Sequence, residues 1–143
     1  MYHYHYPRPA VTTDAIVVAR EDGIFKILLI RRQKDPFKGR WALPGGFINM
    51  DETLQDACRR ELREETGIIT SELRLLGIYD AIDRDPRGRT ISAVYYTILP
   101  ACLQPEAGDD AIHAGWIPLG KLPPLAFDHE KIIGDFLGLD CLK

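Results

Sequence analysis

One helix-forming segment, Leu54–Thr66, most constrains this chain, because it sets acids where an amphipathic helix should bury apolar side chains. Its residues are good helix formers, Thr53 can cap the start with Asp56 three positions on, and Gly67 is placed to end it. At about 100° per residue, Leu54, Ala57, Cys58 and Leu62 gather on one arc. Glu61 and Glu65 fall inside that arc, Glu64 lies on its edge, and Glu52, Arg59 and Arg63 are expected to face water. A charged helix is ordinarily a solvated face laced with i,i+4 pairs, but here two acids one turn apart point inward. Sinking them toward a core costs several kcal/mol each unless a cation compensates. Clustered oxygen donors favour a hard ion, Mg2+ or Mn2+, and such ions commonly share their shell with phosphate oxygens.

The remainder reads as one domain, 1–143, with strands before the acidic helix and strands plus a helix after it. Its 143 residues, 45% hydrophobic and 27% charged, suffice for one ordinary core. Residues 11–19 and 24–30 are β-branched, apolar runs, and the polar Arg20-Glu21-Asp22-Gly23 between them predicts a hairpin. A basic loop, 31–40, is broken by Asp35-Pro36, and Trp41-Ala42-Leu43 is a short apolar stretch ending at the turn Pro44-Gly45-Gly46. Residues 73–82 and 90–99 read as strands joined by the turn-rich 83–89, and 104–110 as an acidic loop. A last strand is expected over 114–118 and a closing helix over 128–137, with Ile132, Ile133, Phe136 and Leu137 as its apolar stripe. Tyr2, His3, Tyr4, His5 and Tyr6 alternate strictly, so residues 1–8 are either an edge strand or a mobile terminus.

Charge and cysteine usage narrow the partners. A formal net charge of −3 gives no overall attraction to nucleic acid or an anionic membrane, so an anionic substrate must be met locally. Cys58, Cys102 and Cys141 are odd in number and far apart, which fits a reducing cytoplasm. No apolar run approaches the roughly 20 residues of a membrane span, and the start lacks a signal-peptide core.

Between Gly46 and Ile68 the chain resembles the Nudix box, G-x5-E-x7-R-E-U-x-E-E-x-G-U with U aliphatic. Gly46, Glu52, Arg60, Glu61, Leu62, Glu64, Glu65, Gly67 and Ile68 fill its fixed positions. The resemblance implies an α/β/α sandwich with a mixed sheet and hydrolysis of a nucleoside diphosphate linked to another group. It also implies that Glu61, Glu64 and Glu65 hold the metal with the Gly45 carbonyl, while Glu52 and Arg60 brace loop and helix. Held there, divalent cations would neutralise charge developing on the leaving phosphate while water attacks phosphorus in line. The base is either Glu64 or an acid among Glu106, Asp109 and Asp110.

Four segments outside the box, 7–11, 36–46, 85–89 and 125–129, resemble the branch that contains ADP-ribose pyrophosphatases, which implies ADP-ribose cleaved to AMP and ribose 5-phosphate. Nucleoside triphosphate clean-up is the alternative, and a catalytically idle sensor domain the rival outside enzymes. Nudix-like domains also occur fused to winged-helix DNA-binding domains; the intact acid set and the chain's end at Lys143 lead us to expect an enzyme. Arg40, Arg84, Arg87, Arg89, Gly46 and Phe37 are the expected substrate contacts, the guanidinium forks of Arg84, Arg87 and Arg89 being suited to a diphosphate or ribose. Phe37 and Trp41 either stack on a base or belong to the core, and His129 either contacts substrate or, the favoured reading, caps the last helix with Asp128. A homodimer is expected from the likeness to ADP-ribose enzymes. Glu65→Gln should keep the fold, since helix propensity hardly changes, yet lower Mg2+-dependent turnover by orders of magnitude. Undiminished turnover in that variant would sink the metal-ligand role.

Overall fold

The computed structural model describes residues 3–106 and 113–142. Its central strand, β1 (Ala10–Glu21), is apolar on both faces over residues 15–19, all fully buried, as a strand covered on both sides must be. Successive side chains point to opposite faces. Ala15 and Val17 therefore join Cys58 and Leu62 of helix α1 (Leu54–Thr66), while Ile16 and Val18 join Ile132, Ile133 and Phe136 of helix α2 (His129–Leu137). The result is the expected α/β/α sandwich. The hairpin to β2 (Ile24–Arg31) turns on Asp22 and Gly23, whose φ angles of 52° and 78° are the left-handed pair a two-residue primed turn demands.

The sheet is mixed. β1 runs parallel to β6 (Thr90–Leu99), from Ala10 opposite Thr90 to Ala19 opposite Leu99, and β5 (Arg74–Tyr79) lies antiparallel on the far side of β6. On its other edge β1 meets β2 only at residues 18–21; at Thr12–Asp14 it meets β4 (Gly45–Phe47) instead. β2 behaves alike. It pairs with β1 through residues 24–27, then at Ile30 and Arg31 with β3 (Trp41–Ala42), while β7 (His113–Pro118) takes its opposite edge. Strands β1 and β2 thus diverge beyond the hairpin, and residues 41–47 cross the gap from one to the other. Gly45 fits there because it has no side chain: a Cβ would lie 2.1 Å from the Thr13 carbonyl oxygen.

Helix α1 begins and ends where expected. Thr53 accepts a hydrogen bond from Asp56 N–H at 3.2 Å, and Gly67, at φ 75°, donates its N–H to the Arg63 carbonyl at 2.8 Å. Three expectations change, and of two alternatives for the start of the chain one drops out. Residues 73–82 shorten to β5, because 80–89 fold into turns held by Arg89, which donates to the Asp80 carbonyl. The Pro44-Gly45-Gly46 turn is largely strand β4, paired with β1. Asp128 stands at the N-cap position of α2 but makes no side-chain cap bond, since Arg84 engages both its oxygens. The Tyr/His start forms no strand over its described residues 3–9, where Pro7 and Pro9 lack the N–H a ladder needs; Tyr2 lies outside the described residues. None of the described helices is long and apolar enough to cross a membrane.

Phe136, fully buried, packs its ring 5.5 Å from that of Tyr96. Phe136→Ala should lower stability by about 3–5 kcal/mol, read by urea denaturation, and a loss below about 1 kcal/mol would show that α2 does not anchor this layer.

Candidate active site

Arg60 organises the acidic helix. Its Nε and Nη2 donate to both oxygens of Glu52, with Nη2 to Oε1 at 2.7 Å, and Nη1 reaches Glu61 Oε1 at 2.7 Å and Glu64 Oε2 at 3.2 Å. Nη2 also donates to the Phe47 carbonyl at 3.1 Å, and Glu52 in turn accepts the Asn49 N–H at 2.7 Å. One guanidinium thereby ties loop 47–52 to the helix. Glu52 does not face water as expected: it precedes the helix, outside the wheel that placed it, and its side chain is 13% exposed. The hydrogen bonds from Arg60 hold its carboxyl below the ordinary range.

The inward acids are placed as the wheel predicts. Glu65 is buried, Glu61 half-buried and Glu64 exposed. Burial pushes the Glu65 carboxyl up to about 8, with the Glu61 and Asp14 charges adding to the rise and the hydrogen bond from Gly45 N–H, at 2.7 Å, opposing it. Burial also raises Glu61, against the pull of Arg60. Gly46 packs directly on Glu61, where a Cβ would lie 2.8 Å from the carboxylate. This donor set fits a divalent cation: carboxylates driven toward protonation by burial and by each other gain most from a positive charge among them. Among the described residues they do not converge into a closed cage, because Arg60 engages an oxygen each of Glu61 and Glu64.

Of these acids Glu65 lines a cleft, partly open to solvent, at the divergence of β1 and β2. Glu65, Gly45 and Gly46 line it together with Arg32, Arg84, Arg87, Phe127, Asp14 and His129, and the Arg87 guanidinium stands 4.8 Å from the ring of Phe47, which follows Gly46 in β4. Asp14 is buried and accepts Ser92 Oγ at 2.5 Å. The Nδ1 of His129 accepts Leu43 N–H at 3.0 Å, which leaves the proton on Nε2, 3.6 Å from Asp14 Oδ1. Burial lowers the affinity of this imidazole for a second proton, so it stays neutral. The Leu43-Pro44-Gly45 turn is thus fixed by His129, by Ala15 N–H to the Pro44 carbonyl at 2.8 Å, and by Glu65.

The expected substrate contacts divide. Arg84 lines the cleft but its fork is committed to Asp128, at 2.7 and 2.9 Å, while Arg87 is held by Asp85 and presents its guanidinium between the cleft aromatics. Arg89 is spent on backbone carbonyls, Arg40 donates to Leu125 at 3.4 Å, and Phe37 packs edge-on against Phe127; none of these three lines the cleft. Phe37 and Trp41 pack in the core clusters. Glu106 sits at the end of α1, where its N–H donates to Thr66, and Asp109 and Asp110 lie outside the described residues. Arg32, Asp14 and Phe127 were not expected as cleft residues. An acid inside the apolar run of β1 was a signal for Asp14, and Arg32 follows from strand alternation, which turns it opposite to Arg31.

A NUDIX domain model matches residues 8–136, and the chain belongs to the Nudix hydrolase family. It is 50% identical over 133 residues to an ADP-ribose pyrophosphatase of Methanocaldococcus jannaschii, covering 92% of this chain and 75% of that one. The NUDIX domain of Shewanella oneidensis NrtR complexed with ADP ribose superposes with a TM-score of 0.88 at 29% identity, covering 94% of this chain and 90% of that one. A bifunctional NMN adenylyltransferase/ADP ribose pyrophosphatase from Francisella tularensis, complexed with AMP and a manganese ion, gives 0.84 at 35% identity, over 95% of this chain and 43% of the other. The chain spans only 53% and 56% of two further curated relatives.

With Glu65 raised in the folded state, the metal-free native protein holds a proton that the unfolded chain has lost between its ordinary 4.5 and about 8. That contribution is complete below the lower value and disappears as pH rises through the upper one. In the presence of chelator, wild type should therefore lose stability relative to Glu65→Gln between about pH 5 and about pH 9; a constant difference in urea midpoints would contradict the raised carboxyl.

Proposed function

We propose that this protein hydrolyses ADP-ribose to AMP and ribose 5-phosphate, with Mg2+ as its ion and Mn2+ as a workable substitute. The observation that carries the proposal is one cleft that brings buried Glu65, one helical turn from Glu61, together with Arg32 and Arg87. Such a cleft suits a ligand that is anionic at its centre and must share its charge between cations and guanidinium groups. Glu61, Glu64, Glu65 and the Gly45 carbonyl would hold the ions, which supply charge neutralisation at the phosphate as the anhydride breaks. Arg32 and Arg87 bind and orient the diphosphate, Arg60 keeps the helix acids in register, and Glu64, exposed on the helix edge, either completes the ligand set or takes the proton from the attacking water. Half identity to an archaeal ADP-ribose pyrophosphatase supports this choice of substrate.

The three free cysteines fit a cytoplasmic enzyme, the net charge fits a small-molecule substrate in preference to nucleic acid, and a homodimer is proposed by likeness to the family. The test is a panel of ADP-ribose, other nucleoside diphosphate sugars, dinucleotides and oxidised nucleoside triphosphates with Mg2+, read by product analysis. ADP-ribose should give the highest kcat/KM with AMP as product. A clear preference for a triphosphate would overturn the substrate.

A further inference from the structure

Phe127 belongs to no helix or strand, yet two guanidinium groups and two rings converge on it at the cleft. Its φ is 52°, a left-handed conformation that aromatic residues seldom adopt. The preceding residue is pinned at both ends of its peptide unit: Ala126 N–H donates to the Trp41 carbonyl at 2.9 Å, and the Ala126 carbonyl accepts His129 N–H at 3.1 Å across Phe127. Strain of this kind persists where the surroundings over-determine it, and it clusters at functional sites.

The strained backbone puts the ring at a meeting point. The guanidinium carbon of Arg32 lies 4.9 Å from its centroid and that of Arg87 5.3 Å, while Phe37 closes on it edge-on at 4.9 Å and the His129 ring stands at 5.4 Å. Two like charges therefore share one aromatic ring at the edge of a half-buried cleft. Each is oriented from behind: Arg32 donates Nε to the Pro36 carbonyl at 2.7 Å, and Arg87 donates Nε and Nη2 to Asp85. The ring's negative face and the nearby carboxylates of Asp85, Glu65 and Asp14 offset part of the repulsion between them, and an anionic ligand between the two cations would offset more.

The geometry points to Phe127 as a positioning residue that holds Arg32 and Arg87 together as a paired clamp for a diphosphate. The assignment rests on the proposed substrate class and specifies which part of the substrate these side chains recognise. Its role is exerted through the two arginines and not by contact with the nucleobase.

The test compares Phe127→Leu, which keeps apolar bulk without a π face, Phe127→Gly, which deletes the ring but accepts the left-handed backbone without strain, and Phe127→Tyr, which keeps the ring. KM and kcat for ADP-ribose with Mg2+, and inhibition by inorganic pyrophosphate, are measured for each. Phe127→Leu and Phe127→Gly should raise KM and weaken pyrophosphate inhibition by about tenfold, with kcat falling by no more than about threefold, and Phe127→Tyr should restore both to within about twofold. Unchanged pyrophosphate inhibition in the Leu and Gly variants would overturn the clamp, even with a raised KM, because the ring would then be reading the base. Failure of Phe127→Tyr to restore binding would overturn it equally. If wild type does not turn over ADP-ribose, the substrate proposal fails by itself, and calorimetric binding of pyrophosphate to the same variants still decides the clamp.

Discussion

The guanidinium of Arg60 is the contact on which the acidic helix and its loop depend. It engages Glu52, Glu61, Glu64 and the Phe47 carbonyl at once, so helix α1 and the loop that leads into it cannot move independently. Isolated surface ion pairs contribute little, but a shared cation with four acceptors, 19% exposed, forms a network whose parts support one another. Rigidity matters here because the neighbouring carboxylates are held near one another against their mutual repulsion. A helix free to rotate would relieve that repulsion by turning the acids toward water, and the site would be lost.

The second constraint is the parting of β1 and β2. A hairpin that stayed paired along its whole length would occupy the edge of β1 at Thr12–Asp14 that now takes β4, and would leave no gap for residues 41–47. Residues 41–47 instead bridge the gap, pairing first with β2 and then with β1, and they carry Gly45 and Gly46 to the acids of α1. The cleft thus lies at a defect of the sheet, where backbone groups are available and side chains from several strands and both helices approach.

Much of this was legible in the sequence, and the reasons are local. Helix α1 could be read to the residue because Thr53 and Gly67 mark its ends and its apolar arc is unambiguous. β6 matched for a similar reason, being bounded by turn residues at one end and Pro100 at the other. What escaped depended on distant partners. Strand β4 is Gly-Gly-Phe, whose two glycines disfavour a strand, and it is extended where β1 offers it an edge. Asp128 looks like a helix cap until Arg84, 44 positions away, claims its carboxylate. Arg89 and Arg87 are alike in composition and two apart, yet one braces a turn and the other faces the cleft; only the fold distinguishes them.

The two adjacent glycines also limit how such a site can change. Gly45 lies against the backbone of β1 and Gly46 against the carboxylate of Glu61, so neither can acquire a side chain without displacing main chain or a proposed metal ligand. This part of the cleft is in that sense frozen. Arg87 is under no comparable restriction, since its side chain, 40% exposed, reaches the cleft from a turn outside the sheet. Divergence of substrate preference, whether by natural drift or by directed evolution, is therefore channelled to the turn that carries Arg87. One part of the cleft keeps the reaction while another can be rewritten.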